Sequence, residues 1–294
     1  MHDIGERPEP NLKTVVYATD FSVSSRLAGT YAMYLAAWFS ARLLAAHAFT
    51  LSEPAMEAEA EGASASRQRK DLQTLLSEQA AVLTSTSVKP VPVLVEGDPK
   101  EEIPRLAEEN APSLIVLGTH GGGRVERKII GSVAEAILRA TRRPALIVGP
   151  KVQTAVFPFR RVLYAAEVTP ASIHAAAFAA VFAEEFGAEI NVLHVLRPED
   201  VRHPEHLSEL IQRCYGPLRD LEPQRAQEFC DARAFVETGS AQQQIMKHIR
   251  ERSIDLLVLG AATSAHFSLG MHTSAVFQMI VDAPCPVLTV TLRT

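Results

Sequence analysis

Short apolar segments separated by longer amphipathic ones run along the first half of the chain. Five short segments rich in Val, Ile, Leu and Ala predict β-strands: Val15–Ala18, Leu43–Ala48, Val91–Val95, Leu114–Leu117 and Ala145–Val148. The segments between them have the period of a helix: Leu27–Trp38, Leu72–Leu83, Glu101–Glu109 and Val133–Ala140. Tyr31, Tyr34 and Trp38 are expected to pack in the core. Because strands that alternate with helices form parallel sheets, the pattern predicts an α/β fold.

Local signals refine two of these segments. Asp98, Pro99 and Glu101 predict a helix start, with an N-cap, a proline in the first helical position and a capping-box acid. Pro104 falls inside this helix, where its ring clashes with a carbonyl of the preceding turn, so we expect a kink or a later start. The Ala-, Glu- and Ser-rich stretch Leu51–Ser66 is expected to be a mobile connection.

The second half of the chain repeats the order of the first. Colinear matches pair Tyr17 with Tyr164, Asp20 with Glu167, His47 with His194, Gly97 with Gly239, Ile115–Gly118 with Leu257–Gly260, and Pro144–Leu146 with Pro286–Leu288. A repeat of this length indicates two whole domains rather than a solenoid of short units. We predict domains at residues 1–152 and 158–294, joined near Pro150–Phe159.

Composition and charge exclude several classes of protein. At 294 residues and 47% hydrophobic composition, the chain is long enough for two cores. Its formal net charge of −5 gives no broad attraction to nucleic acid or to an anionic membrane surface. The polar stretch His2–Lys13 carries no signal-peptide core, and the longest apolar run, Ala175–Ala183, is too short to cross a bilayer. We expect a cytoplasmic protein with no nucleic-acid or membrane partner.

The cysteines and histidines do not predict a metal centre. Cys214, Cys230 and Cys285 are odd in number and widely spaced, which favours reduced thiols over a disulfide framework. His203 and His206 lie near Cys214, but no second pair completes a tetrahedral set. We therefore expect no metal site.

The most specific motif follows the fourth predicted strand. Gly118 ends the strand, Gly121 follows after two residues, and Gly131–Ser132 opens the next helix. Glycines let backbone amides approach a ligand closely, and a helix N-terminus presents unpaired N–H groups, so such a loop binds anions. Asp20 and Ala48, which follow the first two strands, should reach the same edge of the sheet. There Asp20 can accept hydrogen bonds from a ribose or a base.

This motif, together with Tyr17–Ser22, His47–Ala48 and Arg143–Val148, resembles a universal stress protein domain, and the likeness covers both halves of the chain. The resemblance implies two tandem domains, each a five-stranded parallel sheet flanked by helices, Rossmann-like and similar to the adenine nucleotide alpha hydrolases. It implies ATP, with or without Mg²⁺, as the ligand. Adenosine contacts would fall on Ala18, Thr19, Asp20 and Ala48. Phosphate and ribose contacts would fall on Leu117, Gly118, His120, Gly121, Gly131, Ser132 and Val133.

The second repeat departs from this motif. Gly260 is kept, but Thr263 and Thr273 stand where the second and third glycines would be, and Glu167 stands in place of the aspartate. A β-branched residue does not easily take a positive φ, and its side chain fills space that a phosphate needs. We predict that the second repeat does not bind ATP in the usual way. A shifted loop around Gly270 that binds phosphate more weakly is the alternative.

Several residues of the motif can have a structural role in place of a contact with the ligand. Ser132 and Glu135 can form a capping box. His120 can donate to phosphate or stabilise the turn, and His47 and His194 are expected to pack at strand ends. The basic residues of the loop either reach phosphate or form a solvated surface: Arg124, Arg127 and Lys128.

Three functions stay open. The leading hypothesis is a regulatory, stress-response module in which one ATP, bound to the first domain, biases a conformational or oligomeric state. Neither a Walker lysine nor a kinase catalytic loop follows the glycines, and only Asp20 offers an acid, so we expect no catalytic residue and at most slow hydrolysis. The alternatives are a slow ATPase or phosphotransfer enzyme and a nucleotide-free interaction scaffold.

The last predicted strand of each domain would expose an edge unless it is paired. We expect these two strands, Ala145–Val148 and Val287–Val290, to pair with each other within the chain, and a homodimer is the other possibility.

Overall fold

The chain forms two compact units, one from Leu12 to Val148 and one that begins at Gly149. The structure is a computed structural model, and it describes residues 12–50, 58–119, 130–166, 172–197, 208–209, 211–212, 232–262 and 273–292. The boundaries predicted at residues 152 and 158 stay predictions.

The first unit alternates strands and helices throughout. Its elements are β1 (Thr14–Ala18), α1 (Val23–Trp38), β2 (Arg42–Phe49), α2 (Ala58–Val82), β3 (Val91–Glu96), α3 (Pro99–Glu109), β4 (Ser113–Gly118), α4 (Ser132–Ala140) and β5 (Ala145–Val148). The five predicted strands are all present, and the described helices lie between them. The pattern of short apolar segments therefore predicted the order of elements correctly.

The second unit follows the same order over its described residues. Its elements are β6 (Arg161–Ala165), α5 (Ser172–Phe186), β7 (Glu189–Leu196), β8 (Ala232–Thr238), α6 (Ala241–Glu251), β9 (Leu256–Ala262), α7 (Thr273–Asp282) and β10 (Val287–Leu292). Most of the chain between β7 and β8 lies outside the described residues, as do Cys214, Cys230, His203 and His206.

Both units have the same parallel topology. The strand order is β3-β2-β1-β4-β5 in the first unit and β10-β9-β6-β7-β8 in the second. In the first unit, β1 pairs in parallel with β2 on one side and with β4 on the other. Strands β2 and β3 are thus added on one side of β1, and β4 and β5 on the other. The point at which the strand order changes side opens a crevice at the carboxyl ends of the strands. The predicted α/β fold with two parallel-sheet domains is confirmed.

Apolar faces of the helices cover the first sheet. Helix α1 packs on β1 and β4, and its residues Tyr31 and Leu35 are fully buried. Ser22 caps the start of this helix, because its hydroxyl accepts a hydrogen bond from the Ser25 backbone N–H at 3.2 Å. Tyr31 therefore packs as predicted. Trp38 does not, because it is the last residue of the helix and is 42% exposed.

Two local expectations were wrong. The connection expected over Leu51–Ser66 includes the first turns of α2, which begins at Ala58. Ala, Glu and Ser are compatible with a helix, and without regular apolar positions the sequence does not reveal its start. The second error is the later start expected for α3, which begins at Pro99 and continues through Pro104. The other expectation at Pro104, a kink, stays a prediction. Buried Ile103 and Ala107 anchor this helix on both sides of the proline.

The described residues contain no helix with both the length and the apolar character needed to cross a membrane. Within the same residues, no group of three or more His, Cys, Asp or Glu side chains could hold a metal ion. Cys285 is buried, and burial raises the pKa of its thiol to about 12.

Candidate nucleotide-binding site

A cavity of about 350 Å³ lies at the carboxyl ends of β1, β2 and β4, next to the start of α4. Its wall comes from these three strand ends and from helices α1, α3 and α4. The lining residues are Ala18, Thr19, Asp20, Ser25, His47, Ala48, Pro99, Ile103, Leu117, Gly118, Thr119, Gly131, Ser132, Val133, Ala134 and Ile137. The cavity therefore occupies the crevice that the strand order creates.

The structure brings the predicted site residues together. Every one of them that the structure describes lines this cavity: Ala18, Thr19, Asp20, Ala48, Leu117, Gly118, Gly131, Ser132 and Val133. The other two, His120 and Gly121, lie outside the described residues, together with the basic residues of the loop. Whether these side chains bind a ligand stays a prediction.

Sequence reasoning missed part of the wall. Ser25, Thr119, Pro99, Ile103 and Ile137 line the cavity, although none of them was predicted as a site residue. Ile103 and Ile137 are buried positions of amphipathic helices, and in the sequence such positions look like ordinary core residues. Only the packing of α3 and α4 at the strand ends shows that the same side chains also face a cavity.

Gly118 has a structural reason to be glycine. A Cβ atom built on it would lie 2.9 Å from the backbone carbon and oxygen of Ser24. Real Cβ atoms do not approach backbone atoms so closely, so a larger residue would displace the start of α1. The glycine therefore lets the end of β4 and the first turn of α1 meet at the cavity wall.

The ends of the glycine loop are held together beside the cavity. The Gly131 backbone N–H donates to the Thr119 carbonyl at 2.6 Å, which places the start of α4 against the end of β4. Gly131 is the N-cap of α4, with no side-chain hydrogen bond to cap the helix. The capping box expected from Ser132 and Glu135 is therefore wrong, because Ser132 is already the first helical residue. Glu135 instead accepts hydrogen bonds from Arg139 at 2.8 and 3.0 Å.

The N-terminus of α4 faces the cavity, and its N-cap residue, Gly131, has no side chain to cap it. The first backbone N–H groups of a helix have no acceptor within the helix, and they carry the positive end of its dipole. Ser132, Val133 and Ala134 form this first turn, and all three line the cavity. The arrangement suits an anionic group.

Asp20 supplies the carboxylate of the cavity wall. Its side chain is exposed, and one carboxylate oxygen accepts the Ser22 backbone N–H at 3.0 Å. The next residue, Phe21, has a φ of 64°, in the left-handed region that non-glycine residues rarely adopt. Asp20 is thus held in a tight turn and retains capacity to accept further hydrogen bonds.

The Thr19 hydroxyl is engaged by the protein. It donates to Gln79 Oε1 at 3.0 Å, accepts the Phe21 backbone N–H at 3.0 Å and lies 3.1 Å from Ser25 Oγ. Thr19 is also only 6% exposed. Its hydroxyl therefore shapes the turn that carries Asp20, instead of remaining available to a ligand.

His47 holds the other side of that turn. Its Nδ1 lies 2.7 Å from the Thr19 carbonyl oxygen, which can only accept, so Nδ1 carries the proton. The centroid of its ring lies 4.4 Å from the centroid of the Phe21 ring. Burial lowers the pKa of His47, which favours the neutral imidazole. In the second unit, His194 Nδ1 lies 2.9 Å from the Ala166 carbonyl oxygen. Both histidines therefore link two strand ends, although His47 also lines the cavity.

The repeat is matched by a known family along nearly its whole length. A model of the universal stress protein family matches residues 11–149 and, a second time, residues 158–291. The chain belongs to the universal stress protein family. The predicted family and its tandem two-domain form are both confirmed.

Three universal stress proteins show the kind of similarity that this chain has to its relatives. One from Methanocaldococcus jannaschii is 32% identical over 139 residues, which cover 46% of this chain and 81% of that protein. A solved universal stress protein from Archaeoglobus fulgidus covers 95% of this chain and 98% of its own, with a TM-score of 0.66 and 18% identity. This second likeness is one of fold. A solved universal stress protein in complex with cAMP is 26% identical and covers 49% of this chain and 98% of its own, with a TM-score of 0.35.

The second universal stress protein domain is only partly described at the corresponding place. Gly260 lies in β9 and Thr273 begins α7, whereas Glu167, Thr263 and Gly270 lie outside the described residues. The loss of nucleotide binding in this domain stays a prediction from the sequence.

Proposed function

We propose that the first domain binds one adenine nucleotide in the cavity at the ends of β1, β2 and β4. The observation that carries the proposal is the convergence of the Asp20 carboxylate and the N-terminus of α4 on one cavity. Its volume of about 350 Å³ falls in the range of small-molecule sites, roughly 300–1,000 Å³. An acceptor for hydroxyl or amino groups and a donor set for phosphate are the two chemistries that a nucleotide requires.

The lining residues suit the parts of a nucleotide. Ala48, Pro99 and Ile103 offer apolar surface for a base, and Asp20 offers an acceptor for a ribose hydroxyl or an amino group. The first turn of α4 offers N–H groups to phosphate oxygens. Ala134 contributes no hydroxyl there, so within this turn the backbone groups and the Ser132 hydroxyl are the groups that can contact phosphate.

A bound nucleotide would act as a clamp on this domain. It would contact three strand ends and α4 at once, and a ligand that binds only the folded state stabilises it, by about 2.7 kcal/mol at a free concentration of 100 times Kd. We therefore propose a regulatory role, in which occupancy stabilises one state of the first domain. Slow hydrolysis is the alternative, and the products of a long incubation with ATP distinguish the two.

Isothermal titration of the purified full chain with ATP tests the proposal. We expect one ATP per chain, recovered intact after hours of incubation, and binding weakened at least about tenfold by Asp20→Ala, the loss expected from removing a charged hydrogen-bond partner. Asp71→Ala is the matched control, since Asp71 is an exposed acid of α2 outside the cavity lining. No binding heat and no thermal shift with the unaltered chain would overturn the proposal. A stoichiometry of two would overturn the single site.

A further inference from the structure

Gln79 joins α2 to the turn that carries Asp20. Its side-chain oxygen accepts the Thr19 hydroxyl at 3.0 Å, and its side-chain nitrogen donates to the Tyr17 hydroxyl. Tyr17 in turn donates to the Ser25 carbonyl at 2.8 Å, at the start of α1. One glutamine, itself outside the cavity lining, thus connects β1, the following turn and α1.

The two hydrogen bonds of Gln79 are aimed at groups that shape the cavity wall. Tyr17 is fully buried and Thr19 nearly so, which means that neither hydroxyl can exchange its partner for bulk water. If Gln79 is removed, the Thr19 hydroxyl loses its acceptor and can rotate away from the Phe21 backbone N–H. The turn that presents Asp20 would then lose one of its fixed points.

Helix α2 has few other buried anchors along its described side chains, although exposed Arg69 pairs with Glu96 and lies over the Phe49 ring. From residue 64 onward, only Leu76 and Ala80 of the helix are buried, and Leu75 and Val82 are large apolar residues that remain exposed. The helix packs on β3 and β2, at one side of the first sheet. Elements with little buried surface open locally at low cost, so the position of α2 is easily biased.

The second domain lacks part of this network. Tyr164 stands at the place of Tyr17, but Ala166 stands at the place of Thr19 and has no hydroxyl to offer a glutamine. The network is therefore complete in the domain with the intact glycine motif and incomplete in the domain whose motif has lost its glycines.

From these contacts we propose that Gln79 is a positioning residue for the nucleotide site, acting through Thr19, and that docking of α2 and nucleotide binding are coupled. The inference rests on the proposed function, because it concerns the same site. Coupling between two events is reciprocal. A docked α2 raises affinity for the nucleotide, and the bound nucleotide holds α2 in place.

Titration of the full chain with ATP, comparing Gln79→Leu with the unaltered protein, is the first test. We expect Kd to rise about 3- to 10-fold, the effect of losing one or two hydrogen bonds. Gln73→Leu is the matched control, because Gln73 is an exposed glutamine of the same helix, and its Kd should not change. Thermal unfolding without nucleotide shows whether each variant is folded. Gln79→Glu, which keeps an acceptor for Thr19, serves as the second variant and should recover part of the lost affinity.

A double-mutant cycle separates positioning from a general loss of stability. If Gln79 acts through Thr19, Gln79→Leu has little further effect on Kd in a Thr19→Val background. Hydrogen exchange provides a second readout: ATP should slow exchange of α2 amides in the unaltered protein and fail to do so in Gln79→Leu. Equal Kd values for Gln79→Leu and the unaltered protein, or additive effects in the cycle, overturn the coupling and leave the proposed function standing. An unaltered chain that binds no ATP overturns the proposed function as well.

Discussion

The two domains share a strand order but differ in the layer formed by their second and third strands and the helix that follows. In the first domain β2 carries Leu44, which is 2% exposed. At the corresponding place in the second domain, β7 carries Asn191, which is fully buried. Likewise, α3 carries Leu106 where α6 carries His248. An apolar layer in one domain is therefore a polar layer in the other.

The polar layer is only partly satisfied by hydrogen bonds. His248 is 3% exposed, and its Nε2 lies 3.0 Å from Glu237 Oε1 on β8. The Phe235 ring contacts two polar groups: the His248 ring centroid lies 5.1 Å from its own, and the Arg252 guanidinium lies 3.9 Å from its centroid. Within the described part of the chain, Asn191 Oδ1, His248 Nδ1 and Gln244 Oε1 have no hydrogen-bond partner.

This difference shows that the fold does not require an apolar layer at this position. Both sheets keep the same order and parallel pairing, so other positions must determine the topology. A buried polar atom without a partner costs free energy relative to water. We therefore expect the polar layer to lower the stability of the second domain and the apolar layer to stabilise the first.

The largest expected effect comes from moving the polar residue into the first domain. Leu44→Asn removes a buried leucine between Val16 of β1 and Val91 of β3 and leaves an amide without a partner. We expect it to lower the free energy of unfolding by about 4 kcal/mol, from cavity formation and desolvation together. Trp38, the single tryptophan, lies in the first domain, so its fluorescence during urea unfolding measures this domain.

Leu44→Met is the control for that experiment. It keeps the volume and the apolar character of the side chain, and we expect it to cost less than about 1.5 kcal/mol. An Asn variant no less stable than the Met variant would show that the first domain tolerates a polar layer as well, and the contrast between the domains would disappear.

The order of strands and helices could be predicted from the sequence better than the contacts between them. Apolar runs identified every strand of the first domain, and four of the five are buried, as continuously hydrophobic parallel strands are. The fifth, β3, is only partly buried. Helix boundaries were predicted less accurately than strands. Helix α2 starts at Ala58, within a stretch that has no regularly spaced apolar residues. Trp38 has the helical spacing of core residues, yet its place at the end of α1 exposes it.

The candidate site shows the same limit. Asp20, Ala48 and Gly131 were predictable because they follow strands or open a helix, and the ends of parallel strands meet at one edge. Ile103 and Gln79 were not, because their roles depend on the distance between elements far apart in sequence. No periodic pattern distinguishes Gln79 from the other glutamines of α2, Gln68 and Gln73. Only its hydrogen bonds to Tyr17 and Thr19 do so.

An intermediate effect is expected from Glu237. Glu237→Leu makes the second domain resemble the first, where Val95 occupies this position, but it leaves His248 Nε2 buried without an acceptor. We expect a loss of about 1–3 kcal/mol, the cost of an unsatisfied buried group. Hydrogen exchange of β8 and α6 amides, measured by mass spectrometry, reports on this domain.

The neutral isostere distinguishes the hydrogen bond from packing in that experiment. Glu237→Gln keeps an oxygen that can accept from His248, and we expect it to lose less than half as much stability as the Leu variant. If the Leu variant is as stable as the unaltered protein, the pair of Glu237 and His248 contributes nothing to the second domain.

The smallest expected effect is the reverse exchange, Asn191→Leu. The substitution removes an amide whose oxygen has no partner within the described residues and whose nitrogen donates only to Glu189 Oε1, at 3.1 Å. The lost hydrogen bond and the relieved desolvation nearly cancel, and the added apolar contact favours the variant. We expect the free energy of unfolding to stay constant or to rise by up to about 1 kcal/mol. Exchange of β7 amides measures it. A loss comparable to that of Leu44→Asn would mean that each layer is fitted to its own domain, and that residues at corresponding places in the repeat are not interchangeable in either direction.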